Sequence, residues 1–428
     1  RRPPLHAGAG DARQCEDSVT FPRAGELTSL AFRRPDERGA PPLNPRTSFL
    51  TGATGFLGSS LAVELLQRDR ERIYCLVRPH GDVHERLRGA VVAAAEAAGV
   101  VHLVEDRLDR LVPLAGDIAA EDLGLSDEAR AILAAAPADE CWHSAASLRY
   151  EDRHKDEIVG TNVDGTRHLL DAITGLGIGE LNHISTAYVA GIRTGEVHEE
   201  PFDPSYEPNN WYEASKRQGE DLVVDRAGEF DRVRIMRPSI VIGNMSTYRS
   251  TSSSGYYGFL RGLSKFCGLV EGNEAGYLDN NRVQLFLEPQ SSLNLVPVDL
   301  LVSEAVDLAD GGHGGDELSY FHLTNPFPVT LERARVGPES SIERLRLELI
   351  EDRSELREAD ALLDDALDFY RPYLRNDKQF VRARDEGTPP SAMFISDEAL
   401  AAFSVRHFDE DADLETLTVV DHSAVTAP

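Results

Sequence analysis

Cysteine is scarce here: Cys15, Cys75, Cys141 and Cys267 are the only four in 428 residues, and they lie far apart with no paired spacing. Such a pattern suggests neither a zinc site nor a disulfide framework, and no His, Asp or Glu spacing points to a metal. Cys75 and Cys141 sit in apolar runs and are expected to be packing residues. Long hydrophobic stretches are missing too. No run approaches the length of a bilayer span, and the Arg1-Arg2-Pro3-Pro4 start lacks the apolar segment of a signal peptide. The expectation is a cytoplasmic protein with no membrane insertion. Positive charge is in deficit, with Lys+Arg 44 against Asp+Glu 73 and a formal net charge of -29 at pH 7. Nucleic acid and anionic membranes both need a basic surface, so both are disfavoured as partners.

What is present describes a globular chain. Hydrophobic residues make up 41% and charged residues 27%, and the length allows a large core and two or three domains. Residues 1–46 are rich in Pro, Arg and Gly without periodicity, which predicts an N-terminal extension. From Thr47 onward, strand-like runs alternate with helical patterns. Ser48-Phe49-Leu50, Arg72 to Val77, Leu111 to Ala115, Glu140 to His143, Leu181 to Ser185 and Arg234 to Ile242 are the strands, with 295–298 and 320–323 as the last two. Helical patterns cover 83–99, 127–136, 155–176 and 211–228. This alternation predicts an α/β fold, a Rossmann-type doubly wound parallel sheet. The sheet domain is expected over 47–243 and 293–330. Residues 244–292 and 331–428, the latter with apolar residues at helical intervals over 341–367, predict a smaller, mostly helical C-terminal substrate domain ending in an acidic tail.

The organising stretch is Thr51-Gly52-Ala53-Thr54-Gly55-Phe56-Leu57-Gly58. A strand, a glycine turn and a helix start suit a dinucleotide pyrophosphate, because glycines let the backbone approach and a helix N-terminus attracts negative charge. Some twenty residues later the second strand ends at Arg78, where an acid would favour NAD and an arginine the 2′-phosphate of NADP. Further on, Tyr212 and Lys216 stand four residues apart on one helical face. A phenol of ordinary pKa is a slow proton donor, and a neighbouring cation favours its ionised form. Thr186 closes a strand at an interval that can bring it beside Tyr212. Thr186 would then hydrogen-bond a substrate carbonyl, Tyr212 exchange its proton, and Lys216 hold cofactor ribose.

Taken with Gly116-Asp117-Ile118, His143-Ser144-Ala145-Ala146, Asn162 to Thr166, Ser185-Thr186, Arg237-Pro238-Ser239-Ile240-Val241 and Val296 to Asp299, these motifs resemble the extended short-chain dehydrogenases/reductases. Within them the chain is most similar to the thioester reductase and fatty acyl-CoA reductase branch, over about 47–330. The resemblance implies NADPH as cofactor. It implies further that Gly52, Thr54, Gly55, Phe56, Leu57 and Gly58 hold the pyrophosphate and Arg78 the 2′-phosphate. Asp117 and Ile118 would border the adenine. Ser144, Ala145 and Ala146 would line the cofactor, and Pro238, Ser239 and Ile240 would lie near the nicotinamide. Asn162 would be structural. Ser144, which follows His143, stands where relatives often carry Asn, and His143 and His183 are expected to be buried imidazoles.

The activity so implied is reduction of an acyl thioester, on coenzyme A or on an acyl or peptidyl carrier protein, to an aldehyde or on to the alcohol. No adenylation or carrier segment is recognisable, which leads to the expectation of a separate enzyme. An acidic carrier would need a basic patch, for which the arginines of residues 1–46, Arg249 and Arg261 are candidates. Two other readings stay open: an oxidoreductase or epimerase acting on an alcohol, ketone or nucleotide sugar, and a cofactor-binding sensor without turnover. Ala187 and Tyr188 after Thr186 disfavour the Asp-Glu pair of a sugar dehydratase.

Overall fold

The computed structural model describes residues 46–311, 317–374, 377–385 and 391–408. The chain divides into units Arg1–Pro42 and Leu43–Pro428, and every described residue belongs to the second. The expected N-terminal extension up to residue 45 and the acidic stretch from residue 409 lie outside the described residues.

Seven short apolar runs become the strands β1 (Thr47–Thr51), β2 (Arg72–Val77), β3 (Leu111–Ala115), β4 (Glu140–His143), β5 (Glu180–Ile184), β6 (Arg232–Pro238) and β7 (Leu318–Leu323). They pair in parallel in the order β3-β2-β1-β4-β5-β6-β7. The order reverses between β1 and β4, and an open sheet of this kind binds ligands at the strand ends beside such a reversal. Successive side chains of a strand face opposite ways, so both faces need a cover. Leu50 packs on one face with α1 (Phe56–Gln67), α2 (Val83–Ala98) and a helix at Val298–Asp310. Phe49 packs on the other with α3 (Asp127–Ala135), α4 (Gly165–Gly175) and α5 (Trp211–Asp225). Cys75 and Cys141 are fully buried in these two layers, as packing residues should be.

Capping residues fix several helix starts. Asp82 accepts from the backbone N–H of His84 at 2.8 Å and of Glu85 at 3.1 Å ahead of α2, which Gly99 closes in a left-handed conformation. Asn210 caps α5 by accepting from Glu213 N at 3.0 Å. At the end of the strands opposite the glycine turn, the buried carboxylate of Glu140 accepts from Ser48 Oγ at 2.7 Å and Arg70 Nε at 2.9 Å, while Arg70 reaches Asp310 at 2.6 Å.

Three expectations need correction. Arg234 to Ile242 is not one strand. β6 ends at Pro238, which has no N–H to continue a ladder, and Ile240–Ile242 turns away to pair in parallel with Leu295–Pro297 outside the main sheet. Residues 295–298 are therefore not a strand of that sheet. Nor are 341–367 one helix: Leu347–Ile350 is a strand paired in parallel with Val283–Phe286, and only Glu358–Ala366 is a helix. Arg344, at φ +61°, breaks any helix there.

A third apolar cluster is drawn from both sides of β7. It joins Tyr257, Leu260 and Leu263 of α6 (Tyr256–Asn273) to Leu285, Leu345 and Leu347, and to Phe403 of the last described helix, Asp397–Phe408. Among the described residues no helix is long and apolar enough to cross a membrane.

Candidate active site

The glycine turn is pressed against the loop after β4. Gly52 has φ +79°, and a Cβ on it would lie 2.7 Å from Ala145 N. A Cβ on Gly58 would lie 2.1 Å from Gly52 O, so backbone rather than a movable side chain forbids it. Gly55 is the N-cap of α1 and offers no side-chain cap, which leaves the first amides of the helix pointing out of the turn. Such a start favours an anion. Thr51 Oγ1 steadies the neighbouring loop by accepting from Ala145 N at 3.1 Å.

Thr186 ends the stretch after β5 and is buried; its hydroxyl donates to Pro238 O at 3.4 Å and accepts from Tyr188 N at 3.3 Å. Tyr212 is in the first turn of α5. Burial pushes its phenol up to about 12, the Thr186 side chain pulls it down, and the Glu213 carboxylate pushes it up. Lys216, one turn on, is buried and donates from Nζ to Ile184 O at 2.6 Å. Burial pulls its ammonium down to about 8, with Glu220 acting the other way. The expected lowering of the phenol by Lys216 is not what governs Tyr212 here: burial dominates, and the ammonium is committed to the end of β5.

Lys216 instead acts on two buried imidazoles. His143 is held down to about 3 by burial and then by Lys216, and both its nitrogens have partners, Thr51 Oγ1 at 2.9 Å and Thr166 Oγ1 at 3.1 Å. His183 is buried in β5 and driven well below its ordinary value by burial, Lys216 and His143. Both are neutral packing residues, not bases. Asn162 lies in a π-helical turn, Gly160–Asp164. It accepts from Ser147 N at 2.7 Å and donates to Ser147 O at 3.0 Å and Ser215 Oγ at 2.9 Å, tying the loop after β4 to the helix of Tyr212.

A cavity of about 560 Å³ brings together Thr186, Tyr212 and Lys216, then Gly52, Gly55, Phe56, Leu57 and Gly58, and also Ser144, Ala146, Pro238, Ser239 and Ile240. Thr54, Arg78, Asp117, Ile118 and Ala145 do not line it. Thr54 and Arg78 are exposed, Arg78 directly after β2. Asp117 accepts from Ala119 N at 3.0 Å, and Ile118 is buried beside Gly165. Ala145 stands behind the glycine turn. The rest of the cavity wall is largely apolar and includes Leu285, Leu287, Leu293, Leu331, Leu347 and Leu349.

Sequence reasoning missed Tyr373. Its phenol lines the cavity, accepts from Asn210 Nδ2 at 2.9 Å and packs edge-on against Tyr188. No spacing rule links residues this far apart. The hydroxyl of Ser185, beside Thr186, is buried in the same wall with no hydrogen-bond partner among the described residues. Among the described residues no group of three or more His, Cys, Asp and Glu could hold a metal ion.

The chain matches a NAD-binding family described as Male sterility protein over residues 50–305. It is 31% identical over 172 residues to fatty acyl-CoA reductase 1 of Arabidopsis thaliana, covering 37% of this chain and 35% of that protein. It is 37% identical over 147 residues to isonitrile lipopeptide synthase of Mycobacterium tuberculosis, covering 34% of this chain and 6% of that protein. The chain spans less than two thirds of the length of the curated relatives it matches first. Among solved structures, the terminal R domain of the myxalamid PKS-NRPS pathway superposes with a TM-score of 0.65 at 24% identity, covering 86% of this chain and 92% of that one. With the match extending from β1 through the Thr186, Tyr212 and Lys216 site, this chain belongs to the NAD-binding Male sterility protein family, a branch of the extended short-chain dehydrogenases/reductases.

Proposed function

We propose that the chain is an NADPH-dependent reductase that converts an acyl thioester, carried on coenzyme A or on a carrier protein, to an aldehyde. The observation that carries this reading is the meeting of Thr186, Tyr212 and Lys216 on one cavity whose lining is otherwise largely apolar.

The residues present suit a nicotinamide dinucleotide. Gly52 and Gly58 form a cradle that a Cβ would fill, beside the uncapped start of α1, and Arg78, exposed after β2, would meet a 2′-phosphate. Thr54, Gly55, Phe56 and Leu57 complete the pyrophosphate turn. Asp117 and Ile118 would flank the adenine, Ser144, Ala145 and Ala146 the middle of the molecule, and Pro238, Ser239 and Ile240 the nicotinamide. When bound, NADPH supplies the hydride that the thioester carbonyl carbon accepts.

Negative charge then develops on the carbonyl oxygen. Donors from Thr186 and Tyr212 would meet it, an effect worth roughly 3 to 4 kcal/mol per donor in an enclosed site. Tyr212, protonated at neutral pH, gives its proton to that oxygen. Cleavage of the C–S bond releases the thiol and leaves the aldehyde. Lys216, with one of its three N–H groups used on Ile184 O, has two left for ribose hydroxyls. The segments 244–292 and 331–408 would hold the acyl part, and the sheet residues 47–243 and 293–330 the dinucleotide.

The test is to incubate the protein with NADPH and a panel of acyl-CoA and carrier-bound thioesters while following loss of NADPH absorbance and formation of aldehyde or alcohol. Turnover is expected, and Tyr212→Phe should lower kcat by about 10²-fold to 10⁴-fold while leaving NADPH binding intact. Absence of oxidation across the panel overturns the reading. Full activity in Tyr212→Phe overturns the role of the phenol.

A further inference from the structure

Two guanidinium groups line the cavity, and they differ in one respect. Arg335 is occupied: it pairs with Glu332 and donates from Nη1 to Leu347 O at 3.1 Å. Arg261, in the second turn of α6, forms no hydrogen bond or ion pair among the described residues. It is half-buried. Two titratable groups that feel it among the described residues are Tyr370 and His407. Burial pushes the Tyr370 phenol up to about 12 against the pull of Arg261, and the His407 imidazole is lowered by burial and by Arg261. In a chain with 73 acidic residues, a partly desolvated cation facing a phenol and an imidazole is unusual, because burial without a counter-charge is costly. The hydroxyl-bearing residues Ser252, Ser253 and Ser254 share its wall.

A planar fork of donors suits the oxygens of a phosphate. The dinucleotide phosphates have their own receptors in the glycine turn and Arg78, which stand on β1, α1 and β2, whereas Arg261 stands on α6 in the third apolar cluster. Resting on the thioester reading above, we propose that Arg261 binds the 4′-phosphoryl group of a phosphopantetheine arm, the anionic group common to coenzyme A and carrier-borne thioesters. Arg261 is then a specificity residue that selects donors by their phosphate, carried on a different helix from Tyr212.

The experiment compares ligands that differ only in that phosphate. Binding of 4′-phosphopantetheine and of pantetheine to the full chain saturated with NADP is measured by titration calorimetry. Wild type should bind the phosphorylated form about tenfold or more tightly, as expected for charge-assisted hydrogen bonds. In Arg261→Ala the ratio should fall close to one, and Arg261→Lys, which keeps a charge but not the fork, should lie between. Because both ligands are measured on the same variant, a general loss of folding lowers both and leaves the ratio interpretable. Arg261→Gln gives a second neutral variant. Steady-state KM values for the same acyl group on coenzyme A, on a carrier protein and on phosphate-free N-acetylcysteamine identify the source. A rise in Arg261→Ala confined to coenzyme A or to the carrier supports the assignment and names the donor, and a rise on both supports the shared 4′-phosphoryl group. No preference in wild type, or an unchanged ratio in Arg261→Ala, overturns the inference. Turnover of the N-acetylcysteamine thioester does not depend on a phosphate, so its absence sinks the thioester reading separately.

Discussion

Lys216 is fastened to the end of β5 by its own side chain, Nζ donating to the Ile184 carbonyl oxygen at 2.6 Å. That bond fixes the second turn of α5 against the strand that leads to Thr186, and it takes the ammonium into the protein. Burial then pulls its pKa from the ordinary 10.5 down to about 8. The unfolded chain keeps the proton longer, so between about pH 8 and 10.5 it binds more protons than the folded one, and stability from this group rises with pH in that window. The expected size is roughly 2 kcal/mol between pH 8 and 9.5. Urea denaturation of wild type and Lys216→Met at the two pH values measures it: the wild-type gain should exceed that of the variant.

The imidazole of His143 gives a slope of the same sign at the acid end. Its pKa is lowered from 6.5 to about 3, first by burial and then by Lys216. The unfolded chain therefore takes up a proton that the folded chain refuses between those values. Stability is lost as pH falls through that window, by roughly 2 kcal/mol from pH 6.5 to 5 for this group alone. His183 acts in the same direction. Thermal unfolding between pH 7 and 5 should show a falling Tm, with a shallower slope in His143→Gln. An equal slope in that variant would remove His143 from the account.

Two glycines on helices should respond in opposite ways to the same substitution. Gly58→Ala sets a methyl group 2.1 Å from Gly52 O, and forced overpacking of this kind typically costs about 1 to 3 kcal/mol. Because the turn itself must move, NADPH affinity should fall with it. Gly89, inside α2, has nothing within 4 Å of its missing Cβ. Gly89→Ala should stabilise by about 0.5 to 1 kcal/mol and leave NADPH binding alone. Calorimetric melting with and without NADPH separates the two effects.

Arg78 is exposed after β2, and its carbonyl oxygen accepts from Arg86 Nη1 at 2.7 Å. If its guanidinium meets a 2′-phosphate, Arg78→Ala should raise KM for NADPH by about tenfold to a hundredfold, the loss expected for hydrogen bonds to a charged group, and should change KM for NADH little. Equal effects on both cofactors would assign 2′-phosphate recognition elsewhere.

The sheet was legible because its signal is local. Apolar runs such as Ile73 to Val77 and Leu181 to Ile184, separated by helical intervals, permit little besides buried parallel strands. The glycine turn and the Tyr212 to Lys216 spacing were legible for the same reason, since one turn of helix decides which residues share a face. The second apolar region was not. Leu345, Leu347 and Leu349 alternate at a period of two, the mark of a strand, but among Glu and Arg residues the longer stretch mimics a helix. The break at Ser239 was hidden because Ile240 to Ile242 is as strand-like as what precedes it. It depends on a distant residue, Asn294, whose Oδ1 accepts from Ser239 Oγ at 2.6 Å. The places of Tyr373 and Arg261 on the cavity became visible only once the cavity existed.

Asn210 works in two directions: its oxygen starts α5 at Glu213 N, and its nitrogen holds the phenol of Tyr373. One amide thus couples the beginning of the tyrosine-bearing helix to a segment more than 150 positions downstream. Shortening the chain before Tyr373 would strip away no reacting group, yet it would unmoor the amide that orients them. An effort to graft this sheet onto a foreign C-terminal region has to carry the Asn210 contact across with it, or the start of the tyrosine-bearing helix loses its tie to that region.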